Sequence, residues 1–347
     1  MKILSAPLEI RWLITSKCNL SCKHCLVSDL RNIPELSTEK ITAVIKQIIE
    51  LKIFKVFISG GEPLMHKDFF TIADMLSKAK IKILLFTNGT LITKNIARRL
   101  ATYRIGSYNV SIDGASPKVH DAIRGRGSFI KSIKGIKNLI AQKCPVTIAA
   151  TMTHINYRDA ERIILLARKL GAKHIQLVEL MYIGNAYRNC KDIAMTAEER
   201  FELLSKVREL KIKYGDFLTG SISKNMEIVG DLKPDTKLNF PLKTGCCVAG
   251  TIQCAIRPDG LVAPCERLWF LKAGDLKKES LQDIWRNSPV MQFFRKGFEI
   301  KKEDAPWCSK CKYLRPCYLI RRCKPYLFFC NKSEYKNLYR RNAQCVC

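Results

Sequence analysis

The chain lacks any run approaching the roughly 18 consecutive apolar residues of a membrane-spanning helix. Its opening, Met1-Lys-Ile-Leu-Ser5, also lacks the apolar stretch and cleavage site of a secretory signal. Both absences exclude the membrane and point to a cytoplasmic protein. Acidic side chains are scarce, 31 against 60 basic ones, for a formal net charge of +29. A field of that sign favours an acidic partner: a nucleic acid, an acidic leader peptide, a carboxylated cofactor or an acidic electron carrier. No RNA-binding signature accompanies the charge, and the lysines spread over predicted helix faces, so nucleic acid is disfavoured. Lysine richness can equally reflect genome composition or thermal adaptation. Cysteine, by contrast, is abundant. Sixteen cysteines in a reducing compartment argue for metal ligation or redox work rather than disulfides.

The first cysteine group is itself one ligand short. Cys18-Asn-Leu-Ser-Cys22-Lys-His-Cys25 has the spacing C-x3-C-x2-C. A cubane [4Fe–4S] cluster has four irons, usually held by four thiolates, so three cysteines leave one iron open to a small molecule. The loop follows Leu8-Glu-Ile-Arg-Trp-Leu-Ile-Thr15, which reads as a buried strand, and loops at the C-terminal ends of parallel strands are favoured places for chemistry. Zinc is the plainer alternative, but it wants four ligands, and His24 lies directly beside Cys25, where it would be strained. A second segment, Val56-Phe-Ile-Ser-Gly60-Gly61-Glu62-Pro63-Leu64, is a strand running into paired glycines. Glycine lets backbone approach a ligand closely, and Glu62 offers a carboxylate to an ammonium group. An ordinary βα turn would account for the same residues.

Together these segments resemble the radical S-adenosylmethionine superfamily. Cys18, Cys22 and Cys25 match its cluster motif and Gly60, Gly61, Glu62 and Pro63 its GGEP motif. Thr87-Asn88-Gly89, Val110-Ser111-Ile112-Asp113-Gly114 and His120-Asp-Ala-Ile-Arg124-Gly-Arg-Gly-Ser-Phe129 are similar to later segments of that family. The resemblance implies that the open iron chelates S-adenosyl-L-methionine, that one electron cleaves its sulfonium bond, and that the 5′-deoxyadenosyl radical abstracts hydrogen from a substrate. It implies Glu62 and the GGEP backbone for the methionyl amino group, Asn88 and Ser111 for the ribose, Arg124 for the carboxylate, and His24 beside the adenine. Reduced ferredoxin or flavodoxin is the implied electron donor.

Strand-like segments recur at Ile10–Thr15, Lys55–Ser59, Ile83–Thr87, Tyr108–Ile112, Val146–Thr151 and Ile175–Leu180. Amphipathic stretches at Ser37–Leu51, Phe69–Ala79, Lys94–Ala101, Ile130–Gln142 and Tyr157–Leu170 separate them. Ser37 is placed to cap the first and Gly171 to end the last. Serial βα units imply a parallel sheet covered by helices. Six fall short of a closed eight-stranded barrel, so the fold class is α/β, a partial (β/α)6 TIM-like barrel. A long helix at Thr196–Lys213 is expected to lead away from the sheet. Alternation stops near residue 215, giving expected domains of 1–215 and 216–347.

Eleven of the sixteen cysteines lie from Cys246 onward. Cys247 and Cys254 precede a Pro258-Asp-Gly260 hairpin turn that leads to Cys265, and Cys308-x2-Cys311-x5-Cys317-x5-Cys323 and Cys345 follow. This pattern, with Leu281-Gln-Asp-Ile-Trp285, resembles the SPASM extension, a small cysteine-rich α+β domain holding two auxiliary [4Fe–4S] clusters. The resemblance implies Cys247, Cys254, Cys265 and Cys323 for one cluster and Cys308, Cys311, Cys317 and Cys345 for the other. Five residues separate Cys317 from Cys323 where the family usually has three, and Cys246, Cys330 and Cys347 are spare thiols. Cys144 and Cys190 read as plain core or surface cysteines. A zinc ribbon fits the C-x2-C pair as well.

Most SPASM enzymes modify ribosomally made peptides or proteins, by crosslinking or side-chain oxidation, and this is the expected function. Tetrapyrrole or other small-cofactor modification is the alternative, since Asn342-Ala-Gln-Cys345 resembles haem-pathway members and the positive charge suits carboxylates. An iron–sulfur electron carrier is a third possibility, but a carrier needs no open iron. The first strand begins by residue 8, so a peptide substrate would call for a separate recognition protein, or none.

Overall fold

Six strands of β-branched and aromatic residues come first: β1 (Glu9–Thr15), β2 (Lys55–Gly60), β3 (Lys82–Thr87), β4 (Ile105–Ser111), β5 (Val146–Met152) and β6 (His174–Glu179). The computed structural model describes residues 4–222, 242–243, 247–297 and 299–300. These strands pair in parallel in chain order. Helices α1 (Thr38–Glu50), α2 (Phe69–Lys78), α3 (Lys94–Leu100), α4 (Pro117–Arg124), α5 (Ser128–Ala141) and α6 (Ala160–Leu170) connect them. Ile41, Val44, Ile45 and Ile48 of α1 recur at helical spacing and are buried against the outer face of the sheet. Burying each such side chain contributes about 1.5–3 kcal/mol. Ser37 caps α1 by accepting from Lys40 N, and Gly171 ends α6 at φ 81°, both as the residue types predict. Helix α4 lies outside the expected amphipathic stretches, and the last of those opens as one 3-10 turn at Tyr157–Asp159.

Two four-residue helices, α7 (Asn185–Arg188) and α8 (Cys190–Ile193), precede α9 (Ala197–Tyr214). Instead of leading away, α9 turns back onto the barrel. Its apolar stripe of Leu203, Leu204, Val207, Leu210 and Tyr214 is buried, and it delivers β7 (Leu218–Thr219) alongside β6 in parallel. A capping box of Thr196 and Glu199 fixes its start.

Past residue 241 the elements are short: β8 (Leu242–Lys243), β9 (Gln253–Ile256), β10 (Leu261–Ala263), β11 (Gly274–Asp275), α10 (Leu281–Asn287), α11 (Pro289–Lys296) and β12 (Glu299–Ile300). Strands β9 and β10 form the expected hairpin, with Gly260 at φ 85° in its turn. The hairpin does not stand apart. Strand β9 runs parallel to β1, with Cys254 opposite Ile10, so a single sheet runs β11-β10-β9-β1-β2-β3-β4-β5-β6-β7. Among the described residues this sheet is open at both ends, a partial barrel. Val262, Leu281, Ile284 and Trp285 share one apolar core with Ile10 and Trp12.

Helix α5 crosses closely over the turn after β3. An ideal Cβ on Gly135 would sit 2.1 Å from the Gly89 carbonyl oxygen. Alanine is the better helix former by about 1 kcal/mol, but a backbone clash of that depth forces the helix off the sheet. Gly135→Ala should therefore lower the midpoint of thermal unfolding. A raised midpoint would show that α5 can slide without cost.

Candidate functional site

The C-terminal ends of the parallel strands surround a cavity of about 590 Å³. Alternation along each strand decides what faces it. Ile10, Trp12 and Ile14 of β1 are buried in the outer core, while Arg11 and Leu13 line the cavity. Phe57 and Ser59 of β2 and Asn109 and Ser111 of β4 follow the same rule. Cys18, Cys22, His24, Cys25, Gly60, Gly61, Asn88, Ser111 and Arg124 all lie in its wall; Glu62 and Pro63 do not.

The cysteine loop has no regular secondary structure and is held by its neighbours. Gly61 N donates to Thr15 O at 2.9 Å and Glu62 N to Lys17 O at 2.8 Å. A Cβ on Gly61 would lie 2.1 Å from Lys17 O, and one on Gly60 2.4 Å from Thr15 O. The glycine pair thus permits backbone to approach backbone, seating the cysteine loop on the end of β2.

Glu62 is tied to the end of β3: Oε1 accepts from Thr87 Oγ1 at 2.7 Å and Leu64 N at 3.3 Å, and Oε2 from Asn88 N at 2.8 Å. The group is fully buried, and burial pushes its pKa up to about 6 against the lowering effect of these bonds. Asn88 Nδ2 in turn donates to Asn19 Oδ1 at 2.9 Å, so Glu62 and Asn88 relay β2 and β3 to the cysteine loop.

A residue not singled out from sequence organises the other side. Asp113 is fully buried. Its Oδ2 lies 2.6 Å from His24 Nε2 and accepts from Arg124 Nε at 2.5 Å, while Oδ1 accepts from Thr151 N at 2.8 Å. Burial alone would raise its pKa, but Arg124 and His24 hold it well below the usual carboxylate range. His24 therefore spends a ring nitrogen on Asp113. Arg124, itself buried, also brings Nη1 to 3.9 Å from Cys22 Sγ. Lys23 N donates to Ile123 O at 2.9 Å, docking the loop on the end of α4. A polar residue directly after a buried strand was the available signal for Asp113.

The donor set suits a cationic cluster. Burial pushes the Cys22 thiol up to about 11, with Arg124 opposing, and raises Cys18 and Cys25 too. Thiolates so placed need compensating metal charge. Leu20 N already points at Cys18 Sγ from 3.4 Å. Among the described residues no three His, Cys, Asp or Glu side chains converge as a single ion requires; a cubane spreads its thiolates wider.

In the C-terminal segment, Cys254 is fully buried on β9 and its thiol is pushed up to about 12 by burial. Cys265 follows β10, with Arg267 N 3.4 Å from its Sγ, and Cys247 is half-buried. Cys308, Cys311, Cys317, Cys323 and Cys345, like Cys246, Cys330 and Cys347, lie outside the described residues. Cys144 and Cys190 pack in apolar cores. Glu266 and Arg267, beside Cys265, reach the wall of the same cavity.

Asp113→Asn removes one partner of a buried charge pair, which costs about 3–5 kcal/mol. The carboxylate is depressed in the folded state, so its stabilisation is present above the ordinary pKa of 3.8 and fades as pH falls through and below it. Thermal unfolding at pH 7 should show a large loss for the variant, and the gap to wild type should narrow only below that pKa. An equal gap at all pH values would mean that Asp113 acts by shape alone.

Residues 12–167 match the Radical SAM superfamily and residues 246–312 an iron–sulfur cluster-binding domain, SPASM. The chain is 30% identical over 319 residues to mycofactocin maturase MftC of Mycobacterium tuberculosis, spanning 90% of this chain and 78% of the relative. It is 29% identical over 327 residues to AdoMet-dependent heme synthase of Methanosarcina barkeri, covering 90% of each. Its fold matches Streptococcus suis SuiB bound to precursor peptide SuiA with a TM-score of 0.72 at 17% identity, over 99% of this chain and 77% of SuiB.

Proposed function

The chain belongs to the radical SAM superfamily, with a SPASM extension, and from that premise we propose that it modifies a ribosomally synthesised peptide by crosslinking it or oxidising a side chain. It is an enzyme that uses S-adenosylmethionine and [4Fe–4S] clusters. In our assignment Cys18, Cys22 and Cys25 hold the cluster with the open iron. When bound, that cluster supplies the electron that cleaves S-adenosylmethionine and frees a 5′-deoxyadenosyl radical for hydrogen abstraction.

The observation that carries the proposal is one shared cavity. Three thiols line it, with no fourth among the described residues, while Cys265's neighbours Glu266 and Arg267 reach its wall from the extension. A substrate inside is thus flanked by both halves of the chain. The residues divide the work. Gly60 and Gly61 hold the loop backbone. Arg124 and Ser111 offer cation and hydroxyl to the carboxylate and ribose of the cofactor, and Asn88 fixes Asn19 behind Cys18. Glu62 is assigned a positioning role instead of direct contact. The auxiliary clusters are assigned to Cys247, Cys254, Cys265 and Cys323, and to Cys308, Cys311, Cys317 and Cys345. We place residues 1–215 in the barrel and 216–347 in the extension, which lends its hairpin to the barrel sheet.

The MftC relationship and the SuiB fold support a peptide substrate. The heme synthase relationship, of similar extent, keeps tetrapyrrole modification as the second reading, and the +29 charge suits its carboxylates. We assign the protein to the cytoplasm, with reduced ferredoxin or flavodoxin as donor and a separate recognition protein where the substrate is a peptide. No helix among the described residues is long and apolar enough to cross a membrane.

Anaerobically reconstituted protein should bind about twelve irons, and Cys22→Ala should lose about four of them together with all 5′-deoxyadenosine formation. Full 5′-deoxyadenosine release by that variant under dithionite would refute the loop assignment. Mass spectrometry after incubation with short peptides encoded beside the gene, against porphyrin substrates, separates the two readings: a mass loss on a peptide supports the first, and one on a porphyrin alone overturns it.

A further inference from the structure

Arg11 is a charged residue in the middle of a buried strand, one layer deeper in the cavity than Leu13. Its register neighbours are Phe57 on β2 and Ala255 on β9. The guanidinium carbon lies 3.5 Å from the Phe57 ring centroid, so stacking fixes the plane of the fork. The nearest carboxylate is Glu266, whose Oε2 is 3.9 Å from Arg11 Nε, beyond hydrogen-bond distance. Nε of Arg11 is buried without a hydrogen-bond acceptor, Glu266 is only a loose ion-pair partner, and a quarter of the Arg11 side chain is exposed. Leaving such a donor unmatched inside a protein is costly, and the cavity is where an acceptor can enter.

Of the other charges in the cavity wall, Arg267 lies next to Glu266, and Arg124 is the one assigned to the cofactor. Arg124 bonds Asp113, and Glu179 pairs with Arg200. Arg11 thus offers a rigid, oriented cation at the floor, beneath the cysteine loop. We propose that Arg11 is a specificity-determining residue that binds a carboxylate of the substrate, making the substrate class carboxylate-bearing. A peptide acidic group and a porphyrin propionate share this chemistry. The inference rests on the cavity being the substrate site, but it is tested by binding, without turnover.

The probes are coproporphyrin III against its tetramethyl ester, and a fluorescein-labelled Gly-Glu-Gly-Asp-Gly peptide against its Gln/Asn counterpart. Each is titrated into reconstituted full-length protein at about 1 M salt, where the Debye length of about 3 Å silences the basic surface. At least one acid should bind about tenfold or more tightly than its neutral partner, and the acid that does so identifies the source. Arg11→Gln should abolish that preference and leave the neutral probe's affinity unchanged, while Arg11→Lys restores part of it. Glu266→Gln, which removes the competing anion, should tighten acid binding; it reads the same site with the opposite sign if Arg11→Gln folds poorly. Circular dichroism and iron content report folding. An acid preference that survives Arg11→Gln, no preference in wild type, or no binding of either acid would overturn the proposal. 5′-Deoxyadenosine release, measured separately, reports on the radical chemistry and not on this site.

Discussion

A buried carboxylate determines the shape of a loop that has none of its own. Residues 16–27 form no helix or strand, yet they carry three thiols that must stay apart around one end of a cavity. Asp113 grips His24 inside the loop and Arg124 behind it, and it is anchored in turn by Thr151 N on β5. One side chain thereby joins the cysteine loop to β4, β5 and the end of α4. Desolvation of Asp113 would be severe if it stood alone; two basic side chains and a backbone amide offset it. On the opposite side the glycine pair at the end of β2 lets backbone amides reach Thr15 and Lys17 directly. The loop is clamped between a charge cluster and a bare stretch of backbone.

The cysteine-rich segment solves a different problem. Its strands have two to four residues each, too short to stand alone. It is stabilised by borrowing the barrel: β9 adds to the free edge of β1, and Trp285 joins the core beneath Ile10. The same pairing carries Cys254 and Cys265 to the barrel edge and swings Glu266 and Arg267 into the cavity. Fold completion and site completion are therefore one event, with sheet pairing as the common cause.

Much of this was legible in the residues. Six strands fell where apolar runs placed them, because each buries at least one full face against the helices and the cavity-facing side still keeps several apolar residues. The cysteine loop and Gly60–Gly61 come together at the strand ends, where the glycines serve backbone contact with the loop. What stayed hidden depended on partners distant in sequence. The hydrogen bonds of Glu62 to Thr87 at the end of β3 and to Asn88 just after it join residues 25 and 26 positions apart, which no local pattern reveals. Helix α9 looked free because the core its stripe joins is assembled from barrel residues distant in sequence, and β7, the strand it delivers, is only two residues long. Asp113 and Arg11 carried a faint signal, a charge embedded in or ending an apolar strand, whose meaning appears only once the cavity is assembled.

The central claim is that three cysteines leave one iron open for S-adenosylmethionine. The most direct measurement is electron–nuclear double resonance on the dithionite-reduced protein mixed with S-adenosylmethionine carrying 15N at its amino group and 17O at its carboxylate. Direct chelation predicts resolved hyperfine coupling of both labels to the cluster, present in wild type and absent in Cys22→Ala. A reduced, iron-replete protein that binds the labelled cofactor without such coupling would contradict the account.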